Sequence, residues 1–201
     1  MANKRYITGR ETQAQAEKNW QDYAAKIDAE VAERMRRVIS GCCFRYNEKT
    51  VIQTIPLPEI DDNYPFQLMV LPGAIDEKYH NENLPIIDLN HESHSVLLFN
   101  RPDKLKLSFR PDGLFFMFVP IWNRHGEKIY DELDNRGYLG VSTEIKMLER
   151  TVSEGADGVV LTTIKKAVIQ SISILTGDKT PAFPSGKCKF NGAVLTFATS
   201  Q

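Results

Sequence analysis

Hydrophobic positions change their period once along this chain, and that change sets the expected organisation. Between Glu11 and Ile39 there is no Gly or Pro, and Trp20, Ala24, Ile27, Val31, Met35 and Val38 recur at spacings of three and four. A 3.6-residue period stacks them on one face, which predicts a single helix, capped near Thr8 or Gly9 and ended at Gly41. Its other faces carry many charges. Two roles therefore stand side by side: packing against the domain that follows, or acting as a docking or dimerising arm.

From Cys42 onward the pattern is that of strands. Thr50 to Ile55 alternates and is β-branched, and Pro56 and Pro58 close it. Phe66–Leu71, Leu84–Leu89, Leu105–Phe109, Leu114–Val119, Ser142–Met147, Val159–Ile164 and Val168–Leu175 read as further strands. Turn-forming clusters such as DDNYP, PDG and SEGADG separate several of them. Leu114–Val119 is apolar at nearly every position, which predicts a central strand buried on both faces. Short helical segments are expected only at Ala74–Tyr79 and within Gly126–Asn135, with a weaker strand in residues 187 to 199 at AVLTF, Ala193–Phe197. The reading is a mainly β protein with peripheral helices. Residues 42–201 should form an antiparallel sheet curled into a barrel or sandwich, preceded by a helical arm in residues 1–41.

Composition narrows the function classes. The chain has 201 residues, 42% hydrophobic and 25% charged, as in ordinary globular proteins, with a formal net charge of -1. That balance argues against broad phosphate binding, so nucleic acid is not an expected partner. No apolar run reaches membrane-spanning length and MANKRYITGR lacks the apolar core of a signal peptide, so no membrane partner is expected either. Of three cysteines, Cys42 and Cys43 are adjacent, Cys188 is distant, and no CxxC spacing occurs. They read as reduced, buried thiols. His91 and His94, three apart with no Cys nearby, signal zinc only weakly, so neither a metal nor a cofactor is expected.

The chemistry concentrates in IIDLNHESHSVLLFNR, Ile86 to Arg101, where an apolar run delivers Asn90, His91, Glu92 and His94 into a strand end or tight loop. Some fifty residues on, GYLGVSTEI at Gly137 to Ile145 sets Ser142 between short apolar stretches. A serine hydroxyl needs a base within hydrogen-bonding reach, and histidine serves because its ordinary pKa lies near neutrality. Gly137 and Gly140 would let the chain approach a substrate and present N–H groups to an oxyanion.

These segments also carry a resemblance. LPGAI at Leu71–Ile75, IIDLNHES at Ile86–Ser93, RPDGLFF at Arg110–Phe116, GYLGVSTEI, and VIQSISILTGDKTPAFP at Val168–Pro184 occur in order. From about Tyr64 to Pro184 the chain resembles the prohead proteases of tailed bacteriophages, capsid-maturation serine proteases related to herpesvirus assemblins. The resemblance implies a barrel-like herpesvirus-protease-type fold, Ser142 as nucleophile and His91 as general base. It also implies scaffold and major capsid protein as substrates or assembly partners, self-cleavage, a homodimer by analogy with assemblins, and a location inside the assembling prohead in the host cytoplasm. The third catalytic residue stays open. Where the family carries Glu in its closing segment this chain has Ser171, beside Gln170, and Ser-Ile-Gly-Phe has become Ser142-Thr143-Glu144-Ile145. Glu144 shares strand parity with Ser142, and Glu144, His94, Ser171 and Glu92 are the candidate orienters. The departures also motivate an alternative, a catalytically weak or inactive protease-fold protein with a structural role in capsid assembly.

Overall fold

The computed structural model describes residues 37–56, 63–98, 104–120, 123–155 and 157–194, together with scattered positions from Lys18 to Glu33. The chain divides into two compact units, Met1–Arg36 and Arg37–Gln201. In the first, the described positions are helical, whereas Trp20, Ile27, Val31 and Met35 of the expected apolar stripe lie outside the described residues. The helix does not extend to Gly41 as the pattern predicts. Strand β1 (Arg37–Arg45) already begins at Arg37. Val38 and Ile39 are fully buried, and β1 is paired on both sides, so long-range ladder bonds override the helical register that Val38 would continue.

The second unit is mainly β. After β1 come β2 (Gln53–Pro56), β3 (Asn63–Val70), helix α1 (Glu77–Glu82), β4 (Ile86–Leu89) and β5 (Glu92–Leu98). Then follow β6 (Leu105–Arg110), β7 (Gly113–Phe118), helix α2 (Arg124–Arg136), β8 (Leu139–Glu154), β9 (Val160–Leu175) and β10 (Lys187–Val194). One sheet runs β2-β3-β9-β8-β10-β1-β7-β6, with β4 attached to β9 and β5 to β4. Two expectations are corrected here. The strand path among the described residues stays open rather than closing into a barrel. The sheet is also mixed, because β3 and β4 both run parallel to β9.

The mixed pairing traces to β9. Val168–Leu175 was expected as a strand separate from Val159–Ile164, yet β9 is continuous through the exposed pair Lys165–Lys166. Its edge is satisfied piece by piece, as buried backbone requires. Phe66–Val70 of β3 pairs with Val160–Ile164, and Leu71 N donates to Ile164 O at 3.1 Å. Ala167 N donates to Ala74 O at 2.8 Å as the chain turns into α1. The buried His80 of α1 then takes the next free donor, its Nε2 accepting from Ile169 N at 3.0 Å. Ile86–Leu89 of β4 completes the edge against Ser171–Ile174. A crossover through α1 keeps β3 and β4 parallel to the same strand.

Opposite that edge, β8 and β9 form a long antiparallel hairpin with Ser142 facing Ser173 and Glu144 facing Ser171. The register slips beyond Glu144, where Ile145 faces Ile169, so Gln170 is the extra residue of a bulge. Ile169 N, two residues beyond Ala167 N on the same edge of β9, is the N–H which His80 accepts.

The core lies beneath β1, β7, β9 and α2, with Phe44, Phe116, Phe118, Ile129, Leu133 and Ile172 all at or below 1% exposure. In β7 alternation prevails over the all-apolar sequence: Leu114, Phe116 and Phe118 are buried, while Phe115 and Met117 are half-buried. The short turn expected in Gly126–Asn135 is a full helix. Asn123 caps it by accepting from His125 N and Gly126 N, and Gly137 ends it in the left-handed region at φ 76°, its N–H donating to Leu133 O at 2.8 Å. Gly137 thus serves the helix end and sets the entry to β8.

Candidate active site

His91 occupies a two-residue turn. Leu89 pairs with Glu92, so Asn90 and His91 alone join β4 to β5, with φ values of 60° and 62°. Two successive left-handed residues make a type I′ turn, which glycine and asparagine enter readily but histidine only at a cost of about 1–2 kcal/mol. The cost is met by contacts on every side. Asn90 Oδ1 accepts from Thr176 N at 3.0 Å and its Nδ2 donates to Thr176 Oγ1 at 3.0 Å. Asn90 N donates to Ile174 O at 3.0 Å. The buried Ser95 hydroxyl lies 2.8 Å from both Leu89 O and Glu92 O. Finally, His91 N donates to Asp88 Oδ1 at 3.1 Å. The turn is thereby locked onto the end of β9.

The imidazole points back over the sheet. His91 Nδ1 lies 2.9 Å from Ser173 Oγ, and Ser173 Oγ lies 2.5 Å from Asp88 Oδ1. Asp88 pairs with Ser173 across the parallel β4–β9 ladder, and Ser173 pairs with Ser142 across the antiparallel β9–β8 ladder. Directly opposite residues share a face with Cβ atoms about 4.5–5.5 Å apart. Asp88, Ser173 and Ser142 therefore form one row across three strands, with His91 suspended over it. Ser173 is fully buried and Asp88 is 6% exposed, whereas Ser142 is half-buried at the surface of the row. Among the described residues no hydrogen bond joins His91 to Ser142; Nε2 and the Ser142 hydroxyl are both open, as catalytic pairs often are before a substrate tightens them.

The next row holds Ile86, Ser171 and Glu144, and Ser171 Oγ donates to Glu144 Oε2 at 3.2 Å. Glu144 thus shares the Ser142 face, as strand parity predicts. Glu92 opens β5, and the side chain of His94 lies outside the described residues. Asp88 and Ser173 were not anticipated from the sequence. A signal was present in each case: a lone carboxylate inside the apolar IIDL, and the Ser-Ile-Ser-Ile alternation that marks a polar face of β9.

Concave surface flanks Ser142 on both sides. Toward Glu144 lies a groove of about 660 Å³ with Ile86, Val96 and Val168 among its apolar lining and His91, Lys146 and Lys166 on its polar side. Toward Gly140 lies a second, of about 570 Å³, between Tyr138, Leu175, Lys179 and Pro181. Gly140 belongs to this floor; a Cβ there would sit 3.3 Å from both Leu175 Cβ and Pro181 Cδ.

Burial raises the pKa of Cys42, drives that of Cys188 up to about 12 and lifts that of Cys43 further still. Burial lowers the pKa of His80, whose Nδ1–H donates to Asn83 O while Nε2 accepts from Ile169 N, a neutral tautomer committed to structure. Among the described residues no group of three His, Cys, Asp or Glu side chains is placed to hold a metal, and no helix is long and apolar enough to cross a membrane.

Comparison with known proteins bears on this arrangement. No curated protein matches the chain, and no solved structure does. The family model described as caudovirus prohead serine protease matches residues 22–194, which includes every strand from β1 to β10 and both His91 and Ser142. This chain belongs to the caudovirus prohead serine protease family.

Proposed function

We propose that the protein is an endopeptidase of phage capsid maturation in which Ser142 is the nucleophile and His91 its general base. Family membership implies a serine protease acting in the prohead in general. The observation that supports the assignment is the row Asp88–Ser173–Ser142, in which His91 is held on Nδ1 by Ser173 and the half-buried Ser142, some fifty residues away in sequence, faces Ser173. Ser142 Oγ attacks the scissile carbonyl as Nε2 of His91 takes its proton. The imidazolium then returns that proton to the leaving amine, and a water repeats the cycle to release the acyl group.

One groove lined by Glu144 and another lined by Gly140, two residues to either side of Ser142 on β8, support an endopeptidase, because an extended chain could continue past the scissile bond in either direction. The substrates that fit the family are segments of scaffold and major capsid protein, along with this chain itself. Residues 1–36 would then be an arm, with residues 37–201, which include β1, as the protease domain, and the arm a candidate for self-removal. A homodimer is part of this reading. Fluorophosphonate labelling tests the assignment: one adduct on Ser142, lost in Ser142→Ala and slowed on the order of 10²-fold or more in His91→Ala. Unlabelled wild-type protein would leave the alternative, a structural component of the assembling capsid.

A further inference from the structure

We infer that the carboxylate serving the His91 imidazole is Asp88, and that it acts through the hydroxyl of Ser173. This rests on the reading of His91 as base. Three distances define the relay: Asp88 Oδ1 to Ser173 Oγ at 2.5 Å, Ser173 Oγ to His91 Nδ1 at 2.9 Å, and Asp88 Oδ1 to His91 N at 3.1 Å.

The proton order follows from donor and acceptor counting. A hydroxyl carries one proton, and an ionised carboxylate can only accept. The Ser173 proton is therefore directed to Asp88, and the Ser173 oxygen is left to accept. Its partner Nδ1 must then carry the ring proton, which puts the lone pair on Nε2. That is the tautomer a base needs if Nε2 is to take the proton from Ser142. When it does, the new positive charge is shared with Nδ1–H, whose acceptor is already polarised by Asp88. Because Ser173 is fully buried and Asp88 is 6% exposed, little water competes for either bond. Ser173 is thereby a positioning residue, closed off from substrate, and Asp88 acts through it.

The relay differs from the orienters that the resemblance suggests. The position aligned with the family's Glu is Ser171, one row away, and its hydroxyl is engaged by Glu144 at 3.2 Å. The carboxylate reaches His91 from β4 instead, from the same turn that carries the histidine. The strands impose this geometry: Asp88 is the residue that β4 pairs with Ser173, and its Oδ1 also fastens the turn by accepting from His91 N. Charged groups that share the groove with His91 include Glu144 and Lys146 from β8 and Lys166 from β9; Glu92 is beside it in sequence, and Lys179 Nζ lies 3.5 Å from Asn90 O.

Two readouts test the relay, one independent of activity. The first is the tautomer of His91 from imidazole ¹⁵N shifts at neutral pH. Wild type should hold the proton on Nδ1, Asp88→Asn and Ser173→Ala should show a mixture, and Glu144→Gln should match wild type. The second is the rate at which a fluorophosphonate labels Ser142. In that step the Ser142 Oγ–P bond forms, fluoride leaves, and the proton passes to Nε2. Asp88→Asn and Ser173→Ala should each slow labelling about 100-fold, with the double variant no slower than the worse single one. Unchanged circular dichroism and urea midpoints for Ser173→Ala keep folding apart from chemistry.

An unaltered tautomer and labelling rate in Asp88→Asn would overturn the relay, as would a mixed tautomer in Glu144→Gln. If the variants shift the tautomer while His91→Ala labels at the wild-type rate, His91 is not the base. The relay's catalytic role falls with it. An adduct on Ser173 in place of Ser142 would overturn both assignments.

Discussion

His80 offers the sharpest link between pH and the architecture behind the groove. It is 1% exposed, and it packs edge-on to Tyr79 at 5.2 Å and parallel to Phe109 at 6.2 Å between ring centroids. Its Nε2 is the acceptor for Ile169 N, a donor on the β9 edge between β3 and β4. Protonating Nε2 would replace an acceptor with a donor facing a donor. Burial lowers the pKa of His80 in the folded protein, so the unfolded chain binds a proton first as pH falls. The sign follows. This contribution to stability is complete above the unfolded pKa of about 6.5 and is lost as pH drops below it, with a slope of at most about 1.4 kcal/mol per pH unit. The slope ends once pH passes the lowered folded value. Urea denaturation of wild type and His80→Gln between pH 7.5 and 5 isolates the effect, because the other histidines contribute to both curves. The variant should be less stable by about 1–3 kcal/mol at pH 7.5, the cost of a poorly satisfied buried donor, and the gap should narrow toward pH 5. Parallel curves across that range would refute the account of His80 as the acceptor for Ile169 N.

Two glycines separate conformational strain from steric conflict. Gly137 sits at φ 76° with nothing within 4 Å of an added Cβ, so Gly137→Ala should cost about 1 kcal/mol. At Gly113 the added Cβ would meet Phe44 O at 2.4 Å, so Gly113→Ala should cost roughly 1–3 kcal/mol through a shift of β1; urea midpoints in the reverse order would contradict this. Iodoacetamide should leave Cys43 and Cys188 unmodified in the native protein and modify all three thiols in urea, and labelling of Ser142 by a phosphonate should be indifferent to that treatment. Rapid native alkylation of Cys188 would contradict its burial.

Much of the β content was legible because period-two alternation and turn residues are local signals. The β6–β7 hairpin around Pro111–Asp112 appears where PDG predicts it. What stayed hidden was non-local. Nothing in Phe66–Val70 or Ile86–Leu89 announces that both lie end to end along β9, since parallel pairing depends on the path through α1 rather than on either strand. Lys165–Lys166 read as a break because charges usually end an apolar run, yet both project outward from an unbroken strand. The helix limit failed for a related reason. Val38 satisfies a helical stripe and a buried strand equally well, and only pairing with β7 and β10 decides between them.

The site divided in the same way. His91 in a tight turn and Ser142 on a strand followed from residue type and neighbouring glycine and asparagine. Their approach to one row follows from the β4–β9–β8 register, which no local pattern encodes. Asp88 is not legible in the sequence, because a carboxylate in an apolar strand invites no role until its partner, Ser173, is placed beside it.

The most direct test of the central claim is intact mass against time for concentrated wild-type protein and Ser142→Ala, each alone and with the major capsid protein. The account predicts discrete truncation products that accumulate only with wild type, including loss of an N-terminal arm. Unchanged masses in both proteins under all conditions, or the same products from Ser142→Ala, would contradict it.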